Sequence, residues 1–269
     1  LYAVTYAQIF RSKNMGETWD TLTNGVIIPN GDGEGMRLAV TPADTNRIYV
    51  GMIANRGNIL RSNDGGDSWT TVKNDYNTSI VGYAIDQDGQ GNYDFTMIAS
   101  PVNADWLFLS AECHWRSMDG GYTWQKLTDW WTNCHTDMHD YEFNPADATQ
   151  LFNSNDGGVW MSSDTANNWN PKSDFLNNTE FYHAGQSNLH RGKMDGGTQD
   201  NGELFMSYYN WFTNRGGDWG STIAFDFLSS DYCYELGDGN RRGLTGGETT
   251  LNFPFTPDNN ARIEFTPDA

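Results

Sequence analysis

Asp156, Asp200 and Asp238 each follow a strand-like run and precede or sit within a glycine turn, 44 and then 38 residues apart. Hydrolysis of a glycosidic bond needs two carboxyl groups about 5–10 Å apart across a sugar ring. Aspartates in such turns also accept backbone N–H groups, so the same positions suit plain turn formation. A second constellation is Cys134-His135-Thr136-Asp137-Met138-His139-Asp140. On a strand, residues i, i+2 and i+4 share a face, so His135, Asp137 and His139 would converge on a metal, on a sugar, or into a hydrogen-bonded polar wall. The stretch Asp86 to Asp94 is rich in oxygen donors. It offers Asp86, Asp88 and Asp94 to calcium, although its glycine falls too early for an EF-hand and a solvated acidic loop reads the same way. Trp130-Trp131 and Tyr208-Tyr209-Asn210-Trp211-Phe212 are aromatic clusters suited to stacking on pyranose rings or to packing between sheets.

These residues need elements to hold them, and a repeated octapeptide paces those elements. It reads Ser12-Lys13-Asn14-Met15-Gly16-Glu17-Thr18-Trp19, then recurs from Ser62 through Asp64 and Gly66 to Trp69. Further copies run from Ser117 through Asp119 and Gly121 to Trp124, and from Ser162 through Asp164 to Trp169, where Ala166 replaces the glycine. The tryptophans stand 50, 55 and 45 residues apart, the length of a four-stranded propeller blade. Each copy follows an apolar strand. The Asp and Gly positions predict a hairpin turn, and the Trp opens the next strand and packs between sheets. A second punctuation, Pro42-Ala43-Asp44, Pro101 to Asp105 and Pro145-Ala146-Asp147, precedes a strand in phase with the octapeptide. Five blades are counted, near residues 1–30, 31–80, 81–135, 136–185 and 186–250, within a single all-β propeller of six to eight blades.

Composition narrows the function. The 269 residues carry 35 acidic against 16 basic side chains, a net charge of −19, which excludes a nucleic-acid binder. An aromatic content of 14% with 11 Trp excludes a disordered acidic chain. No apolar run approaches the roughly 20 residues of a transmembrane helix. The chain opens at Leu1 inside a strand-like run without Met or a signal peptide, so it reads as part of a longer chain continuing beyond both ends. Cys113, Cys134 and Cys233 share no metal-binding spacing; Cys113 and Cys134 suit either one disulfide or two buried thiols.

The octapeptide S-x-D-x-G-x-[ST]-W resembles the Asp-box, or BNR repeat, whose structural residues here are Ser12, Asn14, Gly16 and Trp19; Ser62, Asp64, Gly66 and Trp69; Ser117, Asp119, Gly121 and Trp124; and Ser162, Asp164 and Trp169. That resemblance implies a β-propeller and is silent on activity. Beyond residue 170, Asn177 to His183, Gly196 to Gly202 and Gly216-Gly217-Asp218 resemble secreted propellers of the Bacteroidota type. These are distantly similar to xyloglucan-active glycoside hydrolases, to the sortilin luminal domain and to photosystem-assembly propellers. Likeness to the xyloglucanases implies catalysis by Asp156 and Asp200, with Asp156-Gly157-Gly158 a shortened form of their Asp-x-Gly-Gly context. A propeller binds ligands at its channel mouth, where inner-strand ends and their loops converge, and that reading adds His135, Asp137, His139, Asp218, Asp238, Trp130 and Trp131 as binding residues. A sialidase is excluded, because Ile27-Ile28-Pro29 lacks the expected arginine and no arginine triad is evident. The expected function is a secreted or cell-surface module binding a glycan or an extracellular protein. The alternatives are a glycoside hydrolase on a β-glucan such as xyloglucan, and a structural domain of a large adhesin or filament in a surface assembly. Calcium is the one cofactor suggested.

Overall fold

The computed structural model describes residues 1–29, 35–129, 133–173, 176, 179–215, 222–226, 228–229, 232–236, 240–244 and 247–252. The chain forms two compact units, Leu1–Phe175 and Leu176–Ala269. Almost all of the regular structure is antiparallel strand.

The first unit holds four sheets in chain order. They are β1 (Tyr2–Val4), β2 (Ile9–Arg11) and β3 (Asp20–Leu22); β4 (Met36–Val40), β5 (Ile48–Met52), β6 (Asn58–Ser62) and β7 (Thr70–Lys73); β8 (Thr96–Ala99), β9 (Leu107–Ser110), β10 (His114–Ser117) and β11 (Gln125–Lys126); and β12 (Met138–Asn144), β13 (Asp147–Asn155), β14 (Gly158–Ser162) and β15 (Asn170–Pro171). Every sheet is a simple meander. β4 packs beside β8 and β8 beside β12, so successive sheets stack through their first strands, the arrangement of propeller blades. The core lies between sheets. Ile9, Ile48, Leu60 and Trp69 fill the first interface, Tyr49, Phe95, Leu109 and Trp115 the second, and Phe108, Tyr141, Leu151 and Trp169 the third.

The octapeptide closes the last hairpin of each of these sheets, and its side chains build the turn. The first serine hydroxyl accepts from the backbone N–H four residues on, at 2.8 Å for Gly16 and Gly66, 2.9 Å for Gly121 and 3.0 Å for Ala166. The Asp64 carboxylate accepts from the Ser68 N–H at 2.9 Å and hydroxyl at 2.5 Å, and Asp119 repeats this with Thr123 at 2.9 and 2.6 Å. Two consecutive residues in each turn hold positive φ, including Met15, Thr165 and Ala166 where glycine is replaced. Hydrogen bonds from the Ser68 hydroxyl and backbone, with that of Ser62, hold the Asp64 carboxyl down at about 2. In the first copy Asn14 keeps the geometry and reverses one bond, donating from Nδ2 to Thr18 Oγ1 at 2.9 Å.

One recurrent feature has a sequence signature, an arginine just before the octapeptide serine. Arg11 Nη1 donates to the Gly65 carbonyl at 2.7 Å and pairs with Asp67 at 2.6 Å. Arg61 reaches the Gly120 carbonyl at 3.4 Å and lies over the Tyr122 ring at 4.8 Å, and Arg116 donates to the Thr165 carbonyl at 2.6 Å. Each arginine therefore grips the octapeptide turn of the next sheet. The fourth position is Met161.

The second unit contains β16 (Phe181–Gln186), β17 (Lys193–Thr198), β18 (Gly202–Ser207) and β19 (Asn210–Arg215), then β20 (Thr222–Phe225), β21 (Tyr232–Leu236), β22 (Asn240–Leu244) and β23 (Gly247–Asn252). The stretch 186–250, expected as one blade, therefore divides between two sheets. The octapeptide that paces the count is missing there, and a two-residue turn closes the β18–β19 hairpin instead. All three cysteines are free and buried, so Cys113 and Cys134 form no disulfide. Burial pushes both thiols up to about 12.

Candidate functional site

A meander puts alternate connections at opposite ends of its sheet. In the first unit the octapeptides and the Pro-Asp turns share one end. The segments entering first strands, and the links from second to third strands, share the other, and there the polar residues gather. Asp94 closes a helical turn, Gly91–Asp94, ahead of β8; Glu112 lies between β9 and β10; Asp137 immediately precedes β12; Asp156 turns β13 into β14.

Strand β12 is bulged against β13. Met138 faces Asn155 and Asp140 faces Ser154, so His139 is the extra residue. A bulge re-aims its side chain, and the His139 Nε2–H donates to Asp156 Oδ1 at 2.6 Å. Tyr93 meets the imidazole edge to face, with centroids 5.1 Å apart. Asp156 is 12% exposed and His139 36%, so the pair is reachable and oriented. Gly157 completes the corner. A β-carbon there would lie 2.5 Å from that of His135, so only glycine lets the turn close over the ring.

Asp137 brings a carboxylate oxygen within 4.8 Å of one of Asp156, but not along a strand face. Its φ is +62° and β12 starts only at Met138, so His135, Asp137 and His139 do not share a strand face as expected. The buried Asp137 accepts from Gln90 Nε2 at 2.8 Å, Tyr83 Oη at 3.3 Å and Thr136 Oγ1 at 3.0 Å. The Gln90 amide also donates to Asp94 Oδ2 at 3.1 Å, tying two carboxyls together. Glu112 joins them in the same buried patch, and Asp94 Oδ1 and Glu112 Oε2 have no hydrogen-bond partner. Burial pushes the Asp94 carboxyl up to about 8, with Asp137 and Glu112 adding to it against the opposing Gln90 bond. Burial raises Glu112 as well. Asp94 thus holds its proton well above the usual carboxylate range.

The suggested calcium set is not brought together. Asp88 is exposed and paired with Arg56 at 2.9 Å, Asp86 is exposed, and Asp94 is fully buried. Asp200 occupies the β17–β18 turn of the second unit with φ +57°. Trp130, Trp131, Asp218 and Asp238 lie outside the described residues. Sequence reading also passed over a buried network. Ser110, His114 and Tyr141 hydrogen-bond to one another, with Ser110 Oγ 3.0 Å from His114 Nδ1. The His114 ring stacks on Trp169 at 4.3 Å, and complete burial lowers its pKa to about 3. A Ser-His contact with no access to solvent braces two sheets and is no nucleophile.

The chain is similar over part of its length to several known proteins. The chain is 25% identical to a xyloglucanase of Hypocrea jecorina (strain QM6a) over 168 residues, 56% of this chain and 18% of that protein. It is 30% identical to a xyloglucanase of a Paenibacillus species over 130 residues, 44% of this chain and 12% of that one. The chain thus spans less than a fifth of the curated relatives it matches. Among solved structures, the GH74 xyloglucanase from Xanthomonas campestris aligns with 93% of this chain and 43% of its own, at a TM-score of 0.48 and 17% identity. YCF48 bound to D1 peptide aligns with 93% of this chain and 77% of its own, at a TM-score of 0.45 and 14% identity. No family model matches the chain.

Proposed function

We propose that this chain is an Asp-box propeller, secreted or displayed at the cell surface, that binds a glycan of the β-glucan class at the loop end of its first unit. The observation that carries this reading is the His139–Asp156 pair, a partly open carboxylate held in place by an imidazole at 2.6 Å. An oriented carboxylate accepts hydrogen bonds from sugar hydroxyls, and the exposed ring of Tyr93 beside His139 offers a stacking face. Asp94 and Glu112 are buried, and both Asp137 oxygens already accept hydrogen bonds from Gln90, Tyr83 and Thr136, which favours binding over cleavage for this unit.

Hydrolysis is the second reading, favoured by the likeness to xyloglucanases over more than half of the chain, with Asp156 as one of two carboxylates. Native affinity electrophoresis in xyloglucan gels, run beside a reducing-end assay, separates the two. Binding predicts retardation of the chain, about tenfold weaker in Asp156→Asn, with no sugar release. Release that disappears in Asp156→Asn establishes the hydrolase. Neither retardation nor release rejects both and leaves a scaffold role in a surface assembly.

A further inference from the structure

We infer that the second unit carries a separate saccharide-binding surface, an aromatic platform on the β18–β19 hairpin. Ser207 pairs with Asn210, so Tyr208 and Tyr209 alone make the turn, with φ of +50° and +70°. Such two-residue turns favour Asn-Gly, because a side chain in the left-handed region brings its β-carbon against the backbone. Two tyrosines are a poor choice for stability and a good one for contact. They are 65% and 75% exposed, and Trp211 beside them is 49% exposed.

The surface is built rather than accidental. Trp211 faces Phe181 with ring centroids 6.0 Å apart and planes at 43°. Phe181 lies against the sheet because residue 196 is glycine; a β-carbon there would stand 2.6 Å from the ring. His190 meets the Tyr208 ring edge-on at 5.0 Å, setting its orientation. The rings present apolar faces with hydroxyl, indole and imidazole groups at their edges, and the Lys193 Nζ lies 6.0 Å from the Tyr208 ring. At a net charge of −19 the chain repels acidic partners, so the matching ligand is a neutral polyol whose C–H faces stack on rings.

The ligand class rests on the glycan reading above, but the residues do not include Asp156. The full chain is run in native gels containing xyloglucan and titrated with cellohexaose by tryptophan fluorescence. The pair of substitutions Tyr208→Asn and Tyr209→Gly gives the turn its preferred residues, so the double variant should melt about 3 °C higher. It should nevertheless bind about tenfold more weakly, as should Trp211→Ala, and the loss should add to that of Asp156→Asn. Wild-type retardation that both variants retain overturns the platform and leaves the glycan reading standing. No retardation of the wild type overturns both.

Discussion

The Asp94 carboxyl keeps its proton because a charge there would sit among Glu112 and Asp137 without water. An exposed aspartate in the unfolded chain titrates near about 4. Between about pH 4 and pH 8 the folded protein therefore holds a proton that the unfolded chain has already released. Stability linked to that proton is complete below about pH 4 and lost as pH rises to about 8, with a slope of at most about 1.4 kcal/mol per pH unit. His114 acts in the opposite direction. Its lowered pKa of about 3 gives stability present above about pH 6.5 and lost as pH falls toward 3. The two oppose each other in mild acid, and from about pH 6.5 to 8 Asp94 acts without His114, with the raised Glu112 working in the same direction as Asp94. Melting curves should show a falling midpoint across that interval, flattened in Asp94→Asn; an equal slope in both proteins contradicts the buried proton. Asp156 and His139 are visible in the sequence, one by its Gly turn and the other by alternation. Their contact is not, because a bulge depends on pairing with β13 and has no local signature. Glu112 has no motif at all.

At the scale of the hairpin, four copies of one turn are four versions of one experiment. Asp119 and Asp164, like Asp64, have their pKa values lowered by hydrogen bonds from the residue four positions on, which outweigh partial burial. The stability these three carboxylates contribute is present above about pH 4 and lost as pH falls below it, toward about 2 for Asp64, whereas Asn14 is indifferent to acid. Asn14→Asp should be neutral or mildly stabilising at pH 7, the Thr18 hydroxyl turning round to donate; a clear fall in melting temperature counts against it. Trp69→Ala and Trp169→Ala should each cost about 3–5 kcal/mol, because both indoles are nearly buried. Trp19 is 42% exposed, so Trp19→Ala should cost markedly less, and denaturant melts rank the three. The octapeptide and its turns are legible from sequence since their hydrogen bonds close within a few residues. The Arg-Ser pairs were equally open to inspection, but an arginine's target lies some 54 residues away at Gly65 and nothing local announces it.

For the molecule as a whole, net charge is the dominant long-range term. A chain at −19 repels itself, and screening shortens that repulsion to about 8 Å at physiological ionic strength. Raising sodium chloride from 10 to 150 mM should therefore raise the melting temperature. A fall would mean that pairs such as Arg11–Asp67 outweigh the repulsion. The all-β blade architecture follows from the tryptophan spacing, which is why the first four sheets are found where the octapeptides stand. The last two sheets carry no such marker. Their strands alternate in sequence, yet the number of sheets between residues 181 and 252 depends on which strands pair, and that is decided by partners distant along the chain.

The arginine contacts also give the fold a direction. Each guanidinium reaches forward to a turn about fifty residues later in the chain, so its contact forms only once the turn of the next sheet has closed. A fragment ending at residue 73 would strand Arg61 without its carbonyl, and one ending at residue 126 would strand Arg116. Ending near residue 173 strands none, because the arm of the fourth sheet would be Met161. That is where the chain is best cut for work on its parts.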